Sequence, residues 1–446
     1  MSAPSLFLTV LLASCRGAAA QDSSAPASRA DSIAERYFGF EWAKVDALAA
    51  TTPPTPSASA VPDGPIQAEH AKVVHMSITR AAYLYYISRY EGGELSRYIG
   101  KSDGLKPASD TDDNVVAGAF DEDISLKNPW NQEIPELRHF WDCRQGPFKG
   151  LFGYDSSVDR AQKYFNGGYA LNGAYDSGWS DKEIPGHGIV WHYGNGDKAL
   201  AYWYLGHAAH LLEDATVPAH VLLYPHPHKN ADAYETYMET HYTHWENRAL
   251  AGGVDSFDTL YDLFYHTADV TNDFDAGSGP GPFGRDGKKD RGARRRGGFT
   301  EAKLRSEGDV LMPLAYRRVA SLILYFYKQI DRTPPRVALV SPRSSDAGAP
   351  DLTADSRVTL SARAVDDVSG VDRHGYRFEY ALWTGTAWSD WRTVSANPTA
   401  ANLDFSVEPG RRYAVRVSAV DAAGNRAFSS TGYLSAVPAP AVASAR

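Results

Sequence analysis

At Thr333-Pro334-Pro335 the spacing of apolar residues changes from a helical period to a strand period, so the chain must build two different architectures in series. Downstream, Val358, Leu360, Ala362 and Ala364 alternate with other residues, as do Tyr376, Phe378 and Tyr380, and then Tyr413, Val415, Val417 and Ala419. Turn sequences (Asp367-Val368-Ser369-Gly370, Pro409-Gly410, Ala423-Gly424-Asn425) separate these runs, which predicts a β-sandwich over 333–440. Upstream, helical spacing runs through 71–90 and 197–214. It also runs within 301–331, where Leu311, Leu314, Ala315, Val319, Leu322, Ile323 and Phe326 share one side. Asp197 is placed to cap the second helix and Pro218 to bound it. The expected fold class is multidomain: an all-α part over 66–332, then an all-β sandwich.

The remaining segments read as export and tether. Residues 5–14 are apolar but too short to span a bilayer, and Leu12-Ala13-Ser14-Cys15 resembles a bacterial lipoprotein signal box. Ala18-Ala19-Ala20 offers an ordinary signal-peptidase site instead, so 1–20 is expected to be a signal and the protein secreted or an outer-surface lipoprotein. Ala, Ser and Pro dominate the extension over 21–65, and the Gly/Arg-rich 275–298 is expected to be a flexible insertion in the helical part. The sandwich sequence, most of all VSAVDAAGN, resembles Ig-like or fibronectin-III-like modules appended to secreted bacterial enzymes, and that breadth assigns no function.

Histidine usage narrows the chemistry. Nine of the 14 histidines fall between His187 and His244, a stretch of 58 residues in a chain of 446. Clustered imidazoles are costly to bury and serve metals or proton transfer. Only two cysteines are present, which excludes a disulfide-rich scaffold and a zinc site of four thiolates. A net charge of −9 with no large basic block argues against a nucleic-acid scaffold, although not against a nuclease. His210 and Asp214 stand four apart on one helix face, with His207 three before His210. Such a pair can hold one divalent ion without distorting the helix. His220, His226, His228 and Glu235 follow closely, which suits a two-metal hydrolytic site. His241 and His244 lie among Tyr237, Tyr242 and Trp245 and read as structural, while His187 and His192 sit in a Gly-rich loop.

The stretch YLGHAAHLLEDATVPAH, with HKNADAYE after it, resembles the zinc-dependent phospholipase C family, whose broader superfamily includes single-strand-specific zinc nucleases. The family pattern of His-x-x-x-Asp, then Pro-x-His, then His and Glu, is matched at His210, Asp214, Pro218, His220, His228 and Glu235. The gap from His228 to Glu235 is longer than usual, which leaves His226 or Glu239 as alternative ligands. His139-Phe140-Trp141-Asp142 matches the family's His-Phe-Tyr/Trp-Asp-Pro box, with Cys143 where Pro is usual. Gly118-Ala119-Phe120-Asp121-Glu122-Asp123 stands in place of the family's metal-binding Asp, with Asp123 favoured over Asp121. His75-Met76-Ser77-Ile78-Thr79 looks like the first family helix, and LMPLAYRRVASLILYFY like the last.

This resemblance covers 66–331. It implies one zinc on Asp123, His139, His210 and Asp214, and a second on His220, His228 and Glu235. Asp214 would bridge to a third, held by His75. Family members complete that third site with an N-terminal Trp, whereas Trp42 lies 33 residues before His75. Two Zn²⁺ are therefore expected, and a third only with a different ligand. Positions that carry aromatics in choline-recognising members hold Ile124 and Glu136. The resemblance further implies that Asp123 orients or deprotonates the attacking water, as the catalytic residue. Asp142 or Glu213 would fix imidazole tautomers.

Three functions follow as expectations. The first is a secreted phospholipase C, a monomer acting on a phospholipid membrane surface. The second is a zinc nuclease or other phosphodiesterase acting on nucleic acid with the same cluster. The third is a non-catalytic surface protein, with the sandwich binding a surface ligand.

Overall fold

The computed structural model describes residues 69–100, 114–122, 136–146, 150, 156–167, 187–223, 232–246, 253–276, 300–394 and 401–438. Helix α1 (Glu69–Arg89) leads into strand β1 (Tyr90–Glu91) and α2 (Leu95–Tyr98), followed by α3 (Val115–Asp121). Two 3₁₀ turns (Glu136–His139 and Cys143–Gln145) precede α4 (Ser157–Asn166), α5 (Ile189–Gly194) and α6 (Lys198–Asp214). Then come α7 (Pro218–Val221), α8 (Ala233–His241), α9 (Thr243–Glu246), α10 (Leu260–Thr271) and α11 (Glu301–Ile330). Among the described residues no helix is long and apolar enough to cross a membrane.

Helix α6 is the axis of this part. Every residue from Ala201 to Asp214 is buried, and a helix enclosed on all sides belongs to an interior. Helices α3, α4, α5 and α11 pack around it. Asp197 precedes α6 as expected, but its side chain makes no capping bond there. The carboxylate turns instead towards the His192 ring, 3.5 Å away, and only the Asp197 carbonyl joins the first turn. Ser156 and Asp159 form a reciprocal capping box on α4, and the Asp232 carboxylate caps α8.

Beyond Ile330 the chain is all strand. Strands β2 (Arg336–Ser341), β4 (Arg357–Val365) and β8 (Asn402–Ser406) form one sheet in the order β2-β4-β8. The facing sheet runs β3 (Asp351–Thr353), β11 (Gly432–Ala436), β9 (Arg412–Val420), β6 (Arg377–Leu382) and β7 (Arg392–Thr393), with β10 (Arg426–Phe428) also on β9. Pairing is antiparallel except between β3 and β11, and the β6–β9 register sets Phe378 opposite Val417. Leu360, Ala362 and Phe405 from the first sheet meet Phe378, Tyr413, Val415, Val417 and Leu434 from the second. The expected sequence of an all-α part and an all-β sandwich is the architecture observed.

The two parts belong to one compact unit and are joined through α1. Strand β1, at the end of α1, pairs antiparallel with β5 (Val371–Asp372). The Tyr86 hydroxyl donates to the Ser369 carbonyl at 2.8 Å, and Arg89 reaches Asp372 at 2.9 Å. Three buried carboxylates meet at this junction: Asp331 ends α11, while Asp366 and Asp421 follow β4 and β9. One oxygen from each lies within 4.8 Å of the others. Burial pushes the Asp421 carboxyl up to about 6, with repulsion from Asp331 and Asp366 opposing the two hydrogen bonds from Asn425.

The sign follows from linkage. A carboxyl raised above its ordinary value contributes stability that is complete below about pH 4 and lost as pH rises through about 6. Asp421→Asn, melted without added divalent cations, should gain on the order of 1 kcal/mol at pH 7.5, after screening by solvent, and almost nothing at pH 4.5. Equal effects at the two pH values would contradict this account of the junction.

Candidate metal centre

Five separate elements deliver side chains to one buried point. From α6 come His207, His210, Glu213 and Asp214; from α1, His75 and Thr79; from the first 3₁₀ turn, His139; from α7, His220; and from α8, Glu235. The α6 contribution is local, because residues four apart stand on one helix face. Pro218 opens α7 at a position where its missing N–H costs nothing, which turns the chain back to set His220 beside Asp214.

Asp214 is the hub. Its Oδ2 lies 2.9 Å from His139 Nδ1, 3.4 Å from His210 Nε2 and 3.7 Å from His220 Nδ1. Oδ1 lies 3.7 Å from His75 Nε2. The His75 and His210 rings stack at 3.8 Å. On the far side of His220, Nε2 faces Glu235 Oε1 at 3.4 Å. Burial alone would raise the Asp214 carboxyl, yet His220, His210 and His139 hold it well below the usual carboxylate range.

Partners on other elements orient the rings. His210 Nδ1 donates to the Ala119 carbonyl at 2.7 Å, and a carbonyl can only accept, so Nε2 is the nitrogen turned to Asp214. His75 Nδ1 donates to Glu213 at 2.7 Å, and Glu213 is itself held by the Thr79 hydroxyl at 2.8 Å. Phe140 stacks on the His220 ring at 4.5 Å, while the Trp141 backbone N–H donates to the His220 carbonyl at 3.2 Å. Leu223, which packs against Phe140, holds a left-handed φ of 54°. His139 presents its other nitrogen, Nε2, to Glu122 Oε1 at 3.6 Å. Burial opposes its charge, but Asp214 and Glu122 raise the imidazole to about 9.

Of the residues singled out in the sequence, the structure brings together His75, His139, His210, Asp214, His220 and Glu235. His207 lies one turn earlier on α6 and binds Glu122 through Nδ1. Asp121 accepts from the Trp203 indole N–H at 2.7 Å on the flank of α6. Asp142 caps the second 3₁₀ turn through the Arg144 N–H and accepts from Gln145 at 2.7 Å. Glu239, one turn beyond Glu235 on α8, is raised to about 7 by burial and by the Glu235 charge. His241 stacks on Tyr237 and His187 on Trp191. Asp123, His226, His228, and segments 1–20, 21–65 and most of 275–298 lie outside the described residues. Sequence reasoning missed Glu122, Thr79, Arg160 and Tyr164, for which no local spacing gives a signal.

The donor set fits a divalent cation such as zinc, which takes imidazole nitrogen and carboxylate oxygen in compact coordination. His75, His210 and Asp214 each offer one ligand atom within 4.8 Å of the others, and all three are buried. His210 Nε2 and Asp214 Oδ2 stand 3.4 Å apart, both buried and with no hydrogen bond between them, an arrangement that a cation relieves.

No family model matches the chain, and no curated protein matches it. Among solved structures it is similar to alpha-toxin of Clostridium perfringens from avian strain SWCP, at 11% identity and a TM-score of 0.35. That match covers 82% of this chain and 96% of the toxin. Alpha toxin from Clostridium absonum gives 10% identity, coverages of 83% and 96%, and the same TM-score of 0.35. Likeness this loose carries no argument about the site, which stands on its own geometry.

Proposed function

We propose that this chain is a zinc-dependent phosphoric diester hydrolase of phospholipase C type, acting on phospholipid head groups at a membrane surface. The observation that carries the reading is the convergence of His75, His139, His210 and His220 on Asp214, with Glu235 behind His220. Zinc bound there would bring the pKa of a water towards ~7 and offset phosphodiester charge. The chain's part is to keep Asp214 ionised, to turn one nitrogen of each imidazole inward, and to shield the centre from bulk water. His228 or His226 and Glu235 or Glu239 complete the second donor group in this reading, and Asp123 orients the attacking water. Residues 1–20 direct export, and the sandwich holds the enzyme to a surface ligand.

The test measures zinc per purified chain, then hydrolysis of phosphatidylcholine and phosphatidylethanolamine vesicles beside single-stranded DNA, with His210→Ala as the control. At least one zinc per chain, lipid turnover and its loss in the control are expected. Turnover of DNA alone would replace the lipid substrate with nucleic acid. Less than one zinc per chain would remove the hydrolase reading altogether.

A further inference from the structure

We infer that Glu122 is a positioning residue that faces the Nε2 side of His139 as an ion-pair partner, so that Nδ1 is the nitrogen His139 gives to the centre. The role rests on the metal reading above and deepens it. His139 stands between two carboxylates, with Nδ1 2.9 Å from Asp214 and Nε2 3.6 Å from Glu122, the latter an ion-pair approach longer than a hydrogen bond. Asp214 lies among His75, His210 and His220, whereas Glu122 is bonded by His207, Arg160 and Tyr164.

Glu122 is fully committed on that outer side. Arg160 Nε donates to its Oε1 at 2.6 Å, the Tyr164 hydroxyl to its Oε2 at 2.7 Å, and His207 Nδ1 also to Oε2. A cation placed against Glu122 would meet the Arg160 guanidinium, so this carboxylate acts as an anchor and not as a ligand. Arg160 and the two imidazoles overcome the effect of burial and hold Glu122 well below the ordinary carboxylate range. The anchor is stiff because its partners come from α4, α6 and the first 3₁₀ turn while Glu122 itself follows α3. His207 is thereby a strut beside the centre. A carboxylate behind a ligating imidazole fixes ring orientation and raises ligand basicity, and its loss typically costs about 10–100-fold in metal affinity.

The experiment compares wild type, Glu122→Gln and Glu122→Asp. Zinc affinity is read by competition with a chromogenic chelator, and ring nitrogens by two-bond ¹⁵N–¹H correlation spectra of His-labelled protein. In wild type, zinc should shift His139 Nδ1 and leave the proton on Nε2. Glu122→Gln should weaken zinc binding about 10–100-fold, and Glu122→Asp, which keeps the charge but shortens the reach, by an intermediate factor. The aspartate variant also carries the affinity test should the glutamine variant fail to fold. Coordination through His139 Nε2, or wild-type affinity in a folded variant that merely melts lower, would overturn the role. A wild type that binds no zinc would be distinguished by the chelator competition itself, and would remove the metal reading together with this role.

Discussion

Asp214→Asn should weaken zinc binding more than 100-fold, beyond the about 10–100-fold range of residues that only support a ligand. Four imidazoles face this one carboxylate from 2.9 to 3.7 Å, and three of them, His220, His210 and His139, keep it ionised despite complete burial. Asparagine preserves the volume and one oxygen but removes the charge, so a cation would be left among neutral nitrogens. The same change should return His139 from about 9 towards its ordinary value, because Asp214 is the leading cause of its rise. Chelator competition measures the first effect, and histidine ring spectra across pH 6–9 the second. Zinc affinity within tenfold of wild type would show that Asp214 is not the hub.

Gly118→Ala should produce the largest loss of stability. A Cβ at Gly118 would lie 1.8 Å from the Trp203 carbonyl oxygen, and one at Gly206 would lie 2.1 Å from the Val115 carbonyl oxygen. Both obstacles are backbone, so no side chain can rotate aside, and α3 would have to move away from α6. Overpacking typically costs about 1–3 kcal/mol, and an obstacle made of backbone puts this change at the upper end of that range. The damage also reaches the site, because Ala119, the next residue, supplies the carbonyl that orients His210. Gly194→Ala is the control: a Cβ there meets nothing within 4 Å, and the change should stay within about 0.5 kcal/mol. Denaturant midpoints would compare the two. A Gly118→Ala protein as stable as the control would contradict the close crossing of the helices.

The parts of the centre that were legible share a local origin. His210 and Asp214 could be paired from spacing alone, since the helical repeat puts residues four apart on one face. His220 followed from the Pro-x-His turn after the helix. His75 and His139 lie 135 and 71 residues before His210, and only a resemblance suggested that they join it. Glu122 stood within Asp121-Glu122-Asp123, where the chain alone does not say which carboxylate turns inward. In the structure Asp121 goes to Trp203 and Glu122 to His207 and Arg160.

What the sequence determined by itself is periodicity: helical spacing up to Ile330, strand alternation after Thr333, and a histidine–aspartate pair on one face of α6. These depend on neighbours within a turn or a strand. Only the tertiary structure decided which nitrogen of each imidazole faces Asp214, because a ring's tautomer is set by the acceptor on its other side. For His210 that acceptor is the Ala119 carbonyl of α3, 91 residues away, and for His75 it is Glu213, 138 residues away.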